Sequence, residues 1–131
     1  RPLLLAAQAS VSSRAVYRFF RDTGDAGVDV LLHALADHLA TYPPGEAGDP
    51  WLRLVALAER MLADYWDRRA QRVEPPLLLD GHDLLALFDL EPGPKIGELL
   101  ELVREAQVSG EVQGRDEALA LVRQHLRGGE L

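Results

Sequence analysis

The chain contains no cysteine. Disulfides, cysteine-ligated zinc and iron–sulfur clusters are therefore excluded. No apolar run approaches the roughly 20 residues of a membrane span, and no secretory signal pattern is present, so cytoplasmic residence with no membrane partner is the default expectation. Aromatic residues make up only 6% of the chain, and lysine occurs once, at Lys95, among 14 basic residues. No stretch alternates apolar and polar residues as a strand would, and there is no internal repeat or low-complexity tract. Catalytic machinery is missing as well. An adenylyl-transfer site needs paired carboxylates to hold two Mg²⁺ and a glycine-containing loop for the triphosphate. The chain has neither, and no serine or cysteine sits in a triad arrangement.

What is present is leucine and alanine at helical spacing. Apolar residues are 47% of 131, a foldable composition for one domain or two small helical subdomains. The expected fold is all-α, a compact bundle of six or seven helices. Residues 1–72 form an N-terminal helical group, 73–79 a connector and 80–131 a C-terminal group. Net charge is −7, which argues against free-standing nucleic-acid binding but leaves room for a local basic edge. Arg1 is not an initiator methionine, and the chain is expected to be a piece of a longer protein.

In chain order, residues 1–9 are apolar and expected to be helical. Ser12 is placed to cap a helix over 13–22, ended by Gly24 in the C′ manner. Arg14, Arg18 and Arg21 share one face of that helix, a stripe that suits phosphate but is more often solvated or paired with acids. Asp25 is expected to begin the next helix, with Val28, Leu31, Leu32, Leu35 and Leu39 buried. His33 and Asp37 have an i, i+4 spacing that permits a two-ligand metal face, but two ligands do not make a site, and surface or packing roles are expected. TYPPGEAGDP at 41–50 reads as a loop, with Asp49 and Pro50 opening a long helix over 51–72. Trp66 is expected to anchor the packing of the second half of the chain on the first, a core role rather than the alternative of a base-stacking platform, and Asp64 and Asp67 are expected to be solvated. Asp80 caps a helix through Phe88. A further helix follows with Ile96, Leu99, Leu100, Val103 and Ala106 inward, and Gly97 is expected to admit the preceding helix. Gly110 ends it, and a final helix buries Ala118, Leu119, Val122 and Leu126.

The least ordinary stretch is Pro92-Gly93-Pro94-Lys95-Ile96-Gly97, followed directly by an amphipathic helix. A helix N-terminus presents unpaired N–H groups and a positive dipole end, and Lys95 adds a full charge. Gly93, Lys95 and Ile96 are thus candidate anion-contacting positions, with Arg14, Arg18 and Arg21 as further candidates for phosphate. The other reading is that the turn only stops one helix and starts the next.

The string L-D-G-H-D-L-L-x-x-F-x-L-x-P-G-P-K-I-G-x-L-L from Leu79, continuing to V-x-E-A-Q-x-x-G-E-V and D-E-A-L, resembles the C-terminal part of bacterial-type tRNA nucleotidyltransferases. These are the CCA-adding enzymes and related poly(A) polymerases. Ser13 to Ala40 is similar to the helical region that precedes it in members carrying an HD-type insert. The main competing resemblance is to the helix-hairpin-helix module. The family likeness implies an RNA-contacting scaffold that helps hold tRNA while an N-terminal head adds 3′ nucleotides. It implies that Mg²⁺ and nucleoside triphosphates belong to that head, and that this stretch has no catalytic residue, metal or cofactor of its own. A protein-interaction or dimerisation module, or the helical remainder of an HD-type phosphohydrolase, are the alternatives that composition leaves open, and the oligomeric state is open too.

Overall fold

The computed structural model describes residues 11–42 and 48–129. The expected helix at 1–9 and residues 43–47 of the loop expected at 41–50 lie outside the described residues; residues 48–50, expected as loop and cap, are already helical. Helix α1 spans Ser13–Thr23 and leads through a 3-10 turn, Gly24–Ala26, into α2, Gly27–Thr41. Then come α3, Gly48–Asp67, the single turn α4, Arg69–Arg72, α5, Gly81–Phe88, α6, Pro94–Ser109, and α7, Arg115–Gly129. The chain is all-α: among the described residues these seven helices and one 3-10 turn are all the regular structure. It divides into two compact units, Arg1–Glu74 and Pro75–Leu131.

In the first unit, Ser12 caps α1 as its residue type predicts: its Oγ accepts from the Ala15 N–H at 3.0 Å. Gly24, at φ +58°, turns the chain out of the helix while its N–H donates to the Phe20 carbonyl. The core is built from Val16 and Phe20 of α1, Leu31 of α2, Met61 of α3 and Val73 beyond α4. The Phe20 ring lies 4.8 Å from that of Tyr65. Helix α2 begins at Gly27, not Asp25, which sits in the 3-10 turn. The start is set by contact. A Cβ on Gly27 would stand 2.7 Å from Phe20 Cδ1 and 2.7 Å from Thr23 Oγ1, so only glycine lets the helix begin this close to the core.

Two expectations for this unit fail. Of the five apolar residues assigned to the buried stripe of α2, only Leu31 is buried, whereas Leu32 and Leu39 are exposed. Leu31 lies with Gly27 on the side facing Phe20. Leu32 and Leu39 lie about 100° or less further round the helix, where nothing among the described residues covers them. Trp66, expected inside, is 62% exposed. It follows Tyr65, which takes the inward position, and so falls about 100° round α3 toward solvent. The long helix also breaks earlier than its composition suggests. Arg68 leaves helical geometry at φ −125°, ψ 35°, with its Nε drawn back to Asp64 at 2.7 Å. The turn α4 closes when the N–H groups of Val73 and Glu74 both donate to the Arg69 carbonyl, at 2.9 and 2.7 Å.

The second unit is organised by its caps. Asp80 Oδ1 accepts from the Asp83 N–H at 2.8 Å, and Asp83 Oδ2 accepts from the Asp80 N–H at 3.0 Å. This is a reciprocal capping box with Asp in both places. Its core joins Leu79, Leu84, Leu99, Val103, Ala106, Val112, Ala118 and Val122. Each buried leucine contributes about 1.5–3 kcal/mol relative to exposure. The segment before α5 is held to this core by Gln107 Nε2, which donates to the Pro76 carbonyl at 2.8 Å. The close approach assigned to Gly97 is absent: a Cβ there meets nothing within 4 Å. Gly81 is the glycine facing α6, where a Cβ would lie 3.5 Å from Ile96 Cγ2. Gly97 stands one residue past Ile96, on the outer side of α6.

Candidate nucleic-acid interface

The PGPK turn folds as its prolines and glycines dictate. Gly93 occupies the N-cap of α6 with no side chain to accept from the free N–H groups, and Pro94 opens the helix. Ile96 N–H donates to the Gly93 carbonyl at 3.1 Å. Gly93, Pro94 and Lys95 are exposed, and Ile96 is half-buried against the core. The three candidate residues of this turn are thus adjacent but divided in role: Ile96 anchors the turn, while Gly93 and Lys95 face water. The first turn of α6 contains no acidic residue. Beyond it the character changes, because Glu98, Glu101 and Glu105 line an open groove together with Arg104 and His125. The acid-free stretch of α6 is thus confined to its first turn.

The arginine stripe lies in the other unit. Arg14 is half-buried on α1, and Arg18 and Arg21 are exposed. Arg21 donates from Nε to Asp22 at 3.0 Å and stands 5.9 Å from the centre of the Tyr17 ring. Each of the three has a partner within the chain, so the acid-partner reading of this stripe describes at least Arg21. His33 and Asp37 are exposed, and among the described residues no group of three or more His, Cys, Asp or Glu could hold a metal ion.

Two polar joints were not read from the sequence. Asp64 is fully buried. Its Oδ2 accepts from Arg60 Nε at 2.9 Å and its Oδ1 from Arg68 Nε at 2.7 Å. Arg60 goes on to the Val11 carbonyl at 2.9 Å. The i, i+4 spacing on both sides of Asp64, R-x-x-x-D-x-x-x-R, was the available signal. The second joint is Asp83 with Arg115. Arg115 donates to both carboxylate oxygens at 3.2 and 3.4 Å and to the Leu78 carbonyl at 3.3 Å. The Arg115 hydrogen bond, then the Asp80 N–H, hold the Asp83 carboxyl below its usual range. The same bond raises Arg115 further.

With the fold and these groups in place, comparison with known proteins defines the class. The family described as tRNA nucleotidyltransferase domain 2 matches residues 61–122. That match takes in α5, α6 and the PGPK turn, and over these residues the chain is similar to the second domain of tRNA nucleotidyltransferases. Among individual relatives, an A-adding tRNA nucleotidyltransferase of Deinococcus radiodurans is 37% identical over 94 residues, 72% of this chain and 21% of the relative. A CC-adding tRNA nucleotidyltransferase of Thermus thermophilus is 33% identical over 116 residues, 88% of this chain and 24% of the relative. A CC-adding enzyme of Geobacter sulfurreducens is 46% identical over 59 residues, 45% of this chain and 14% of the relative. The chain thus spans a quarter or less of each of these relatives. No solved structure matches it significantly. Among the described residues no helix is long and apolar enough to cross a membrane.

Proposed function

We propose that this chain is the RNA-contacting helical scaffold of a tRNA nucleotidyltransferase, holding tRNA while a separate part of the polypeptide adds 3′ nucleotides. The observation that carries this reading is the family match over residues 61–122, together with the printed activities of the relatives. The exposed Lys95 at an uncapped helix start supports it, because such a position can receive a phosphate. The chain carries no paired carboxylates on a phosphate-loop framework, so in this reading nucleotide addition, with its Mg²⁺ and nucleoside triphosphates, belongs elsewhere in the polypeptide.

The test has two arms. The 131-residue chain is titrated with labelled tRNA over a salt series, and binding that weakens with salt supports the scaffold role. Separately, the chain is incubated with tRNA, ATP, CTP and Mg²⁺, and the 3′ end is expected to remain unextended. Absence of tRNA binding at low salt overturns the scaffold role, and reproducible extension by pure chain overturns its non-catalytic placement.

A further inference from the structure

Gly97 is a glycine that nothing described inside the molecule requires. It lies within α6, where glycine costs stability relative to alanine. A Cβ there meets nothing within 4 Å, so the close approach that a helical glycine permits is not used by the chain itself. The bare backbone opens instead into a groove of about 720 Å³ between α6 and α7.

The groove has a floor and a rim. Leu102 of α6 and Leu121 of α7, both half-buried, supply the floor. A second hollow of about 520 Å³ shares His125 with the first, and a third of about 260 Å³ shares Leu121 and Gln124 with the second. Together they make one trough along the α6–α7 hairpin, from Gly97 to Glu111. Its rim is acidic: Glu98, Glu101 and Glu105 stand on it from α6, Glu111 from the turn and Glu117 from α7. Arg104 is the single Lys or Arg among these lining residues, and it pairs with Glu101 at 2.8 Å. Five glutamates against one arginine leave the trough negative, whatever contacts the individual carboxylates make. The arginines of α7 do not offset this. Arg115 turns to Asp83 at 3.2 Å, and Arg123 lies 5.8 Å over the Phe88 ring. The whole unit leans the same way: residues 75–131 hold eleven Asp and Glu against five Lys and Arg, in a chain of net charge −7.

We propose that this trough docks a basic amphipathic helix of a separate protein. Its apolar stripe lies on Leu102 and Leu121, its lysines or arginines meet the glutamate rim, and its backbone passes close to Gly97. Three features select that occupant. The negative rim complements cationic side chains and repels the phosphates of RNA. The leucine floor rewards an apolar stripe, which a metal ion or a polyamine lacks. The trough follows α6 for about 18 Å, the length of roughly twelve helical residues, and lacks a side chain at the point where a second backbone can come nearest. The proposal does not rest on the RNA-scaffold reading. It gives the unit that carries the PGPK turn a separate, protein-facing side.

The test uses the full 131-residue chain and a fluorescein-labelled synthetic peptide of about fourteen residues, with leucines at i, i+3, i+4 and i+7 spacing and lysines elsewhere. A peptide of the same composition with its leucines scattered round the helix is the comparison. Fluorescence anisotropy is expected to show binding at low salt that weakens as salt is added, with the scattered peptide about tenfold weaker or more. Gly97→Gln fills the end of the trough without changing charge, and is expected to weaken the patterned peptide about tenfold while a urea melt shows the fold retained. The triple change Glu98→Gln, Glu105→Gln, Glu117→Gln should weaken it at least as much. Asp89→Asn with Glu91→Gln, which removes two acids outside the trough, should leave the affinity within about twofold. If the triple variant does not fold, Gly97→Gln decides alone. Absence of binding at low salt overturns the proposal. Equal binding of the two peptides overturns it too, because charge alone would then explain the attraction, as does a folded Gly97→Gln that binds like the parent. If Gly97→Gln lowers tRNA affinity and leaves the peptide unaffected, the trough faces RNA and the proposal falls. A dimer of the parent chain in sedimentation that Gly97→Gln dissolves assigns the trough to a second copy instead.

Discussion

Arg60 holds Asp64 from one side while reaching across to the start of α1. Its Nε donates to Asp64 Oδ2 at 2.9 Å and one of its terminal nitrogens to the Val11 carbonyl at 2.9 Å. The buried carboxylate thus does more than satisfy α3. It fixes the guanidinium that satisfies the backbone just before the Ser12 cap. A buried charge is tolerated only when its lone pairs are filled, and Arg68 fills the other oxygen.

Removing that carboxylate takes from Arg60, only 18% exposed on its side chain, the acid that its Nε meets at 2.9 Å. Breaking a buried pair from one side costs about 3–5 kcal/mol. Arg68 can relax into water, which places Asp64→Ala at the lower end, about 3 kcal/mol. Arg68→Ala leaves the Arg60 pair intact but strips the donor from one buried carboxylate oxygen, so it should lose about 1–2 kcal/mol, less than Asp64→Ala. Urea unfolding of the two variants checks the ordering, and equal losses would show that the Arg60 contact contributes nothing special.

A second contrast concerns two glycines. At Gly27 a methyl group meets Phe20 and Thr23 at 2.7 Å, and Phe20 is itself buried in the core. Gly27→Ala should therefore be destabilising by about 1–3 kcal/mol through overpacking. At Gly97 a methyl group meets nothing within 4 Å, so Gly97→Ala should stabilise by about 0.5–1 kcal/mol through helix propensity and the reduced freedom of the unfolded chain. Thermal denaturation of both variants reads the two signs directly, and a stabilised Gly27→Ala would mean that Phe20 moves aside at no cost.

These cases show which parts of the fold were legible in the sequence. The helices, the Ser12 and Asp80 caps and the core positions Leu84, Leu99, Val103 and Val122 follow from period and cap chemistry, which act over a few residues. The side on which a helix finds its partner does not follow. Leu32 and Leu39 extend the apolar stripe of α2 as well as Leu31 does, yet only Leu31 points at Phe20. The same limit applies to Gly97 and Gly81: which of them faces the neighbouring helix depends on how α5 and α6 dock, not on the local sequence. Asp64 was misread because an acid on a helix is usually solvated; its two arginines at i−4 and i+4 were the clue. For the candidate interface, the sequence located the PGPK turn and its exposed lysine. The exposure of Trp66 runs against the preferred reading, which followed the general rule that a large aromatic packs inside.

The Asp83–Arg115 pair gives a pH dependence with a defined sign. The folded carboxyl titrates below its ordinary value, so at acid pH the unfolded state binds more protons than the folded one, and stability rises with pH across that window. The contribution is fully present above the unfolded carboxylate value of about 3.9 and is lost as pH falls through the lowered folded value. Arg115→Gln, which removes the first cause of the shift and keeps a neutral polar side chain, should flatten this part of the acid-unfolding curve, with less change at neutral pH in relative slope than in midpoint. Circular dichroism melts between about pH 2.5 and pH 5 measure it. An acid limb as steep in Arg115→Gln as in the parent would show that the pair is not what lowers Asp83.

The last prediction separates the two readings of the PGPK turn. If Lys95 and the first turn of α6 receive a phosphate, they position RNA without reading bases. Lys95→Ala should then weaken binding to different tRNA sequences by about the same factor, and should reduce the slope of log K against log salt by roughly one or slightly less. The loss should not extend to folding. Lys95 is an exposed side chain in an acid-free first turn, and such substitutions usually stay within about 0.5 kcal/mol. Charge reversal with Lys95→Glu should deepen the loss, because it places a negative group where the phosphate would sit. Affinities measured at several salt concentrations, beside a urea melt of each variant, supply every quantity required. Folded variants with unchanged affinity and slope would reduce the turn to a connector between α5 and α6, with Pro94 and Gly93 setting its geometry and Lys95 merely solvated.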